Sequence, residues 1–410
     1  MKEFKQIAEW MSRNPDVGHD SPIVSSLPSP NFEMDGKPYT SFSTNNYLAL
    51  ATSRRLVAAA QRGLDKYGVA NCESRLLGGD LDVYREVEFK LAHLKKKSGS
   101  ILYATGYLTN LGALSSLVRS PLICRAYGFR PTSRMTYAFF TDEYNHISIR
   151  EGIRLSGADR FTYRHADLNH LEMLLRENDA HSKIIVSDGV FSQDGDIAAL
   201  PDLLNLAEKY DAMVYIDDAH GTGVLGPNGG GISEHFQCYH ERLIHMGTLS
   251  KAYGAIGGFV AADEWICEIL RLTSPAYGFT STLPPDQAFA VSEAIDMVTD
   301  EPERRLSLWE NQRMFVNQML SQDFEIVSTQ TPIVPVIIGD DCASDEFARQ
   351  LRGFGFYVDS VKFPAVAKGK ARLRIILNAH HTREQIQALA HAMVVVREIN
   401  RVPSAQLAVV

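Results

Sequence analysis

Two stretches of the sequence concentrate residues that could do chemistry together. One reads Tyr215-Ile216-Asp217-Asp218-Ala219-His220-Gly221-Thr222-Gly223, the other Met246-Gly247-Thr248-Leu249-Ser250-Lys251-Ala252. Each passes from an apolar run into polar groups, as a strand does where it enters a loop. A third such stretch ends in Tyr144-Asn145-His146. An amine such as Lys251 can hold an aldehyde as an imine and move a proton at the neighbouring carbon. A carboxylate such as Asp217 can keep a pyridine nitrogen protonated, so that the ring accepts electrons. The Thr248 and Ser250 hydroxyls, with backbone N–H groups, can bind a phosphate, and the His146 ring can stack on an aromatic face. Together these are the requirements of a pyridoxal 5'-phosphate (PLP) site. Singly, each has an ordinary reading: a solvated lysine, a loop hydrogen bonder at Asp217-Asp218, a satisfied core histidine at His146, turn glycines at Gly221, Gly223 and Gly226. Their joint occurrence at successive strand ends favours the chemical reading.

The elements that must position these groups follow from periodicity. Short apolar runs predict strands at 100–104, 137–141, 183–187, 213–217, 243–247 and 258–262. Amphipathic stretches between them, such as 168–177 and 200–210, predict helices. This alternation implies an α/β fold with a mostly parallel central sheet covered by helices on both faces, and ligands at the carboxyl ends of its strands. Upstream, residues 1–30 read as a helix and a mobile polar lead-in. Residues 31–43 read as a hairpin about Asp35-Gly36, and 54–67 and 84–96 as helices. Beyond Pro284 the pattern changes to a long helical stretch at 286–322, then short strands near 332–338, 357–361 and 372–377. A final helix starts at Thr382, with Gln385 at capping-box spacing. The expected division is an N-terminal arm and hairpin (1–50), a large domain (51–284) and a smaller C-terminal α+β domain (285–410).

The chain has 410 residues and a net charge of −8, which disfavours non-specific nucleic-acid binding. The N-terminus lacks the apolar core of a secretory leader, and no run is apolar enough for a membrane span. The five cysteines are scattered, with no metal-ligand spacing. A cytoplasmic location and no metal are expected.

In these motifs the chain resembles the α-oxoamine synthase family of fold-type I PLP enzymes, over roughly residues 41–382. Asp142 to Ser148 resembles the family's D-x-x-N-H-A-S run, whose histidine, His146, stacks on the pyridine ring. Asp188 to Gly195 resembles D/E-G-V-F-S-M-D-G, whose serine, Ser192, lies near the phenolic oxygen. Asp217 and His220 match D-D-A-H as pyridine-nitrogen partner and phenolate hydrogen bonder, His220 also lying near the reacting carbonyl. The resemblance implies that Gly106 and Tyr107 offer backbone N–H groups to the phosphate, Thr248 its hydroxyl, and Lys251 the Schiff-base nitrogen. Thr280 and Ser281 resemble the segment that reaches the partner subunit's phosphate, which implies a homodimer with shared active sites. Arg374 and Asn45 match the substrate-binding arginine and asparagine. The implied reaction condenses a small amino acid with an acyl thioester, carried on coenzyme A or an acyl carrier protein, with loss of CO2.

The chain departs from the family at two places. The glycine-rich run ahead of Ser-Arg reads Gly68-Val69-Ala70-Asn71-Cys72-Glu73-Ser74-Arg75, and the following G-T-H-x-x-H reads Gly79-Asp80-Leu81-Asp82-Val83-Tyr84. This region lines the acyl side in relatives, so either the substrate pair is unusual or the loop has drifted. Extra chain at 119–135 carries Arg119, Arg125, Arg130 and Arg134, either phosphate ligands for the thioester carrier or a solvated loop. Rival readings are another fold-type I enzyme (aminotransferase, aldolase or decarboxylase), a catalytically silent partner subunit, or a nicotinamide enzyme. The last lacks a G-x-G-x-x-G after an early strand, and the retained Lys251, Asp217, His146 and His220 oppose the second.

Overall fold

The computed structural model describes residues 1–14, 23–131 and 135–401. Part of the expected lead-in, and Arg134, lie outside the described residues. After an exposed helix, Lys2–Arg13, the chain forms the hairpin of β1 (Asn31–Met34) and β2 (Lys37–Ser41). Asp35 and Gly36 both take positive φ (50° and 71°), the two-residue turn whose twist matches that of the paired strands.

The central sheet has seven strands: β3 (Gly99–Tyr103), β4 (Tyr137–Asp142), β5 (Asp159–Tyr163), β6 (Ser182–Asp188), β7 (Ala212–Asp217), β8 (Leu243–Thr248) and β9 (Gly258–Ala262). Their order is β3-β9-β8-β7-β6-β4-β5, and only β9 runs antiparallel to its neighbours. The alternation of side chains explains why the sheet is buried on both faces. Ile101, Phe139, Ile184, Tyr215, Ile244 and Val260 pack on one face, against Ile149, Ile153, Ile266 and Leu270 of the overlying helices. Their neighbours Leu102, Phe140, Ile185, Val214 and Phe259 turn to the other face, into a core with Val87, Leu175, Leu203 and Val291. The six expected strands are present. The seventh, β5, pairs only with β4 and has one buried residue in five, so it carries no apolar run to signal it.

The stretch expected as one long helix is two, Pro285–Asp300 and Pro302–Ser321. Pro302 has no N–H to continue the first helix and holds Glu301 out of helical geometry (φ −113°, ψ 65°), yet suits the first turn of the second. A second sheet joins β10 (Ile333–Gly339), β12 (Asp359–Val361) and β13 (Ala371–Ile376) in the order β10-β13-β12. The strand expected near 357–361 is likewise divided. Its first part, β11 (Phe356–Tyr357), pairs parallel with β2, so the N-terminal hairpin carries a third strand from late in the chain. The last helix, Arg383–Arg401, starts with the expected capping box: Thr382 N–H donates to Gln385 Oε1 at 3.0 Å, and Gln385 N–H to Thr382 Oγ1 at 3.3 Å. Among the described residues no helix is long and apolar enough to cross a membrane.

Candidate active site

Because β3, β4, β6, β7 and β8 run the same way, their carboxyl ends open on one side of the sheet. A cavity of about 270 Å³ lies there, lined by Gly106, Tyr107, His146, Ser192, Asp217, His220, Thr248 and Lys251 among others. With Ser250, nine of the residues named from sequence thus meet in one place, each delivered by a strand or the segment after it.

The floor is set by Asp217, the last residue of β7. Asn110 donates to its Oδ2 at 2.7 Å and the Ala219 N–H to its Oδ1 at 3.1 Å. Its neighbour Asp218 turns the other way and is fully buried against Lys95, Nζ to Oδ2 at 2.6 Å. Alternation along the strand therefore separates the two carboxylates: one faces the cavity, the other anchors the loop that carries His220.

Lys251 Nζ lies 2.8 Å from His220 Nε2. Burial pulls its pKa down to about 8, Arg374 acting the same way and Asp217 and Asp188 opposing. Burial also holds His220 well below the usual histidine range, helped by the charges of Lys251 and Arg374. His146 is lowered by burial, against the pull of Asp217. Its backbone N–H donates to Asp188 Oδ2 at 3.1 Å. Asn145 stitches the end of β4 to that of β6, donating to Val186 O at 2.8 Å and accepting from the Asp188 N–H at 2.7 Å. Asp188 itself is held well above the usual carboxylate range by burial and by the charge of Asp217.

At the other end of the cavity begins the helix Gly106–Ala126, with Thr105 as its cap accepting from the Leu108 N–H at 3.1 Å. The first amides of a helix have no intrahelical acceptor. Thr248 Oγ1 and Ser250 Oγ lie 2.8 Å apart beside them. A Cβ on Gly106 would sit 2.9 Å from Thr248 Oγ1, so this close approach requires glycine. An aldehyde-bearing pyridine phosphate fits this donor set: amine and carboxylate in the cavity, amides and hydroxyls at the helix start.

Arg374 and Asn45 stand beside the cavity. Arg374 Nε donates to Ser192 O at 2.5 Å and Nη2 to Asn45 Oδ1 at 3.3 Å. Thr280 and Ser281 are not among the residues that line the cavity, and Thr280 Oγ1 donates to Ser281 O at 3.2 Å. Asn110, Asp188, Ser148 and Tyr47 were not singled out from sequence. Asn110 had a signal, since it stands four residues after Gly106 and so shares its helix face.

The two departures have local accounts. Arg75 is buried with Asp80 (2.7 Å) and Glu88 (2.6 Å), its guanidinium 5.1 and 5.0 Å from the rings of Tyr84 and Tyr277. Asp80 also pairs with Arg85, and Asp82 with Lys66. Asp80 and Asp82 are thus engaged in ion pairs. Arg119 and Arg125 lie toward the far end of the 106–126 helix, Arg125 about 28 Å from its start at 1.5 Å per residue. Arg130 donates to the carbonyls of Arg125 and Phe129, closing the helix end. This places the three described arginines away from the cavity and favours the structural reading.

Residues 37–393 match the family model for aminotransferase class I and II. The chain belongs to this family. It is 39% identical over 368 residues to 8-amino-7-oxononanoate synthase 1 of Bacillus subtilis, covering 89% of this chain and 90% of that protein. Its fold superposes on a PLP-bound serine palmitoyltransferase from S. paucimobilis with a TM-score of 0.87 at 28% identity, over 97% of this chain and 98% of the other. For the 8-amino-7-oxononanoate synthase of Francisella tularensis the TM-score is 0.73 at 27% identity, over 88% and 98%. Within the class I and II family the chain is therefore an α-oxoamine synthase family member with the fold-type I architecture.

Proposed function

We propose that this chain is a PLP-dependent C-acyltransferase: a small amino acid and an acyl thioester, on coenzyme A or an acyl carrier protein, become an α-amino ketone, CO2 and free thiol. The observation that carries the reading is the convergence of Lys251, Asp217, His220 and His146 on one cavity, with a helix start at one end and the Arg374–Asn45 pair beside it. When bound, the cofactor supplies a protonated ring that takes up the electrons of a bond broken at Cα.

The side chains have distinct tasks. Lys251 holds the cofactor and, when free, moves the Cα proton; its lowered pKa gives a useful fraction of neutral amine near pH 8. Asp217, fixed by Asn110, would pair with the ring nitrogen. His146 would stack on the ring, Ser192 and His220 would serve its phenolic oxygen, and His220 Nε2 would serve the reacting carbonyl. The Gly106 and Tyr107 amides and the Thr248 hydroxyl would hold the phosphate. Arg374, a planar fork, suits bidentate capture of the amino-acid carboxylate beside Asn45. We assign residues 51–284 to a large cofactor-binding domain, 285–410 to a smaller α+β domain, and 1–50 to an arm and hairpin. A cytoplasmic homodimer is part of the same proposal, with Thr280 and Ser281 serving the partner's phosphate.

The test is an absorbance scan of protein purified with PLP, followed by thiol release from a panel of amino acids and acyl thioesters. A visible cofactor band lost in Lys251→Ala, with thiol release for one pair, is expected. A wild-type protein without that band, or a Lys251→Ala variant with full turnover, would overturn the assignment.

A further inference from the structure

Tyr47 is buried in the segment after β2, and its hydroxyl lies 2.7 Å from Nδ1 of His220. The other ring nitrogen, Nε2, lies 2.8 Å from Lys251 Nζ. The tyrosine is held from behind by the segment after β13. The Ala379 N–H donates to Tyr47 O at 2.8 Å, and Asn378 Nδ2 donates to the Asn46 carbonyl. One phenol thus joins the histidine nearest the lysine to the late part of the chain.

A neutral imidazole has one N–H and one lone pair, so the partner of one nitrogen decides what the other can do. Burial, with the charges of Lys251 and Arg374, keeps His220 neutral. Burial also holds the Tyr47 phenol above its usual range, so it keeps its proton. While Lys251 is an ammonium it can only donate. Nε2 then accepts, and Nδ1–H donates to the phenol oxygen. Once the lysine nitrogen is engaged elsewhere, that donor is withdrawn. The phenol can then turn its O–H toward Nδ1, leaving the imidazole N–H on Nε2, facing the reaction centre. The two arrangements differ by one proton, which Lys251 has released to water.

We propose that Tyr47 is a positioning residue: its hydroxyl holds His220 as the neutral tautomer protonated at Nε2, so that the ring offers an N–H to the oxygen that gains charge in the reaction. This rests on the proposed function, because it takes that oxygen to belong to the thioester condensation. A donor aimed at developing charge matters far more to kcat than to ground-state binding.

The test is carried out on the holoenzyme. Histidine labelled with 15N in the ring reports the tautomer, the His220 signals being assigned by their loss in His220→Gln. The wild type is expected to show His220 neutral and protonated at Nε2. Tyr47→Phe is expected to shift the ring toward the Nδ1–H form and to lower kcat about 30-fold, with the amino-acid KM changed less than about threefold. An imidazolium or an Nδ1–H ring in the wild type overturns the proposal, as does a Tyr47→Phe enzyme with unaltered tautomer, with unaltered kcat, or with a raised KM alone. If Tyr47→Phe does not fold, the wild-type tautomer decides. Absence of thioester turnover in the wild type would count against the assigned reaction, and the ring signals would still report whether Tyr47 sets the tautomer.

Discussion

Asn110 donates a hydrogen bond to Oδ2 of Asp217 at 2.7 Å, from one turn inside the helix whose first residues line the opposite end of the cavity. The same amide group donates to Ser148 Oγ at 2.8 Å, and its oxygen accepts from the Tyr215 hydroxyl at 2.9 Å. Every polar atom of the side chain is used, so Asn110 has a single orientation. One helix therefore supplies amides at its start and, four residues on, the group that aims the carboxylate.

Removing this group has a defined cost. In Asn110→Ala, Asp217 loses a charged hydrogen bond worth about 1.5–3 kcal/mol. The expected result is a PLP dissociation constant raised about 10- to 100-fold, read by absorbance titration of apoenzyme. An affinity equal to that of the wild type would show that Asp217 needs no such support.

How much of this was legible in the sequence depended on where each signal lay. Lys251, Asp217, His220 and His146 follow apolar runs that mark their own strands, so type and position could be read together. The break at Pro302 was missed although it had a signal, since proline cannot continue a helix, because the periodicity on either side masks it. Strand β5 was not legible, as its exposed edge has no apolar run. Nor was the partner of Asp218: the buried Lys95 that claims it stands 123 residues earlier. Tyr47 stayed hidden for the same reason, since its hydrogen bond to His220 spans 173 residues.

Arg374 offers a test of the substrate side. Its guanidinium reaches Ser192 O and Asn45 Oδ1 at once, which a lysine ammonium on a flexible stem cannot reproduce. Arg374→Lys should raise the amino-acid KM about 10- to 100-fold, the loss of a bidentate carboxylate contact. The thioester KM should stay within about threefold of the wild type, because the contact belongs to ground-state capture of one substrate. Steady-state kinetics with each substrate varied in turn would decide it. Equal effects on both Michaelis constants would mean that the arginine shapes the whole cavity.

His165 gives a prediction about stability and pH. It bridges Asp142 (3.1 Å) at the end of β4 and Asp196 (3.2 Å) beyond the Ser192 turn, with the Tyr144 ring stacked on it at 4.4 Å. Burial opposes its charge, but the two carboxylates prevail and raise its pKa to about 10. The folded value lies above the unfolded one of about 6.5. The stabilisation is therefore complete below about pH 6.5 and is lost as pH rises toward about 10. Melting temperatures of the wild type and His165→Asn should differ most near about pH 6 and converge near about pH 10. A gap that stays constant over that range would mean that the imidazole contributes packing and no charge.

The lowered pKa of Lys251 predicts how fast the cofactor attaches. Only the neutral amine attacks an aldehyde, and an unperturbed lysine has about 0.4% of it at pH 8 if its pKa is about 10.4. With the value at about 8, half the amine is free at that pH. The rate at which apoenzyme takes up PLP, followed by stopped-flow absorbance, should rise with pH to a midpoint near 8 and level off above it. Arg374 is one of the charges that lower the value, so Arg374→Gln should move the midpoint upward, whereas Asp217→Asn, which removes an opposing charge, should move it downward. Opposite shifts in the two variants would tie the effect to the named charges. A midpoint near 10 in the wild type would mean that the site leaves the lysine an ordinary surface amine, and the fast attachment argued from its burial would fail.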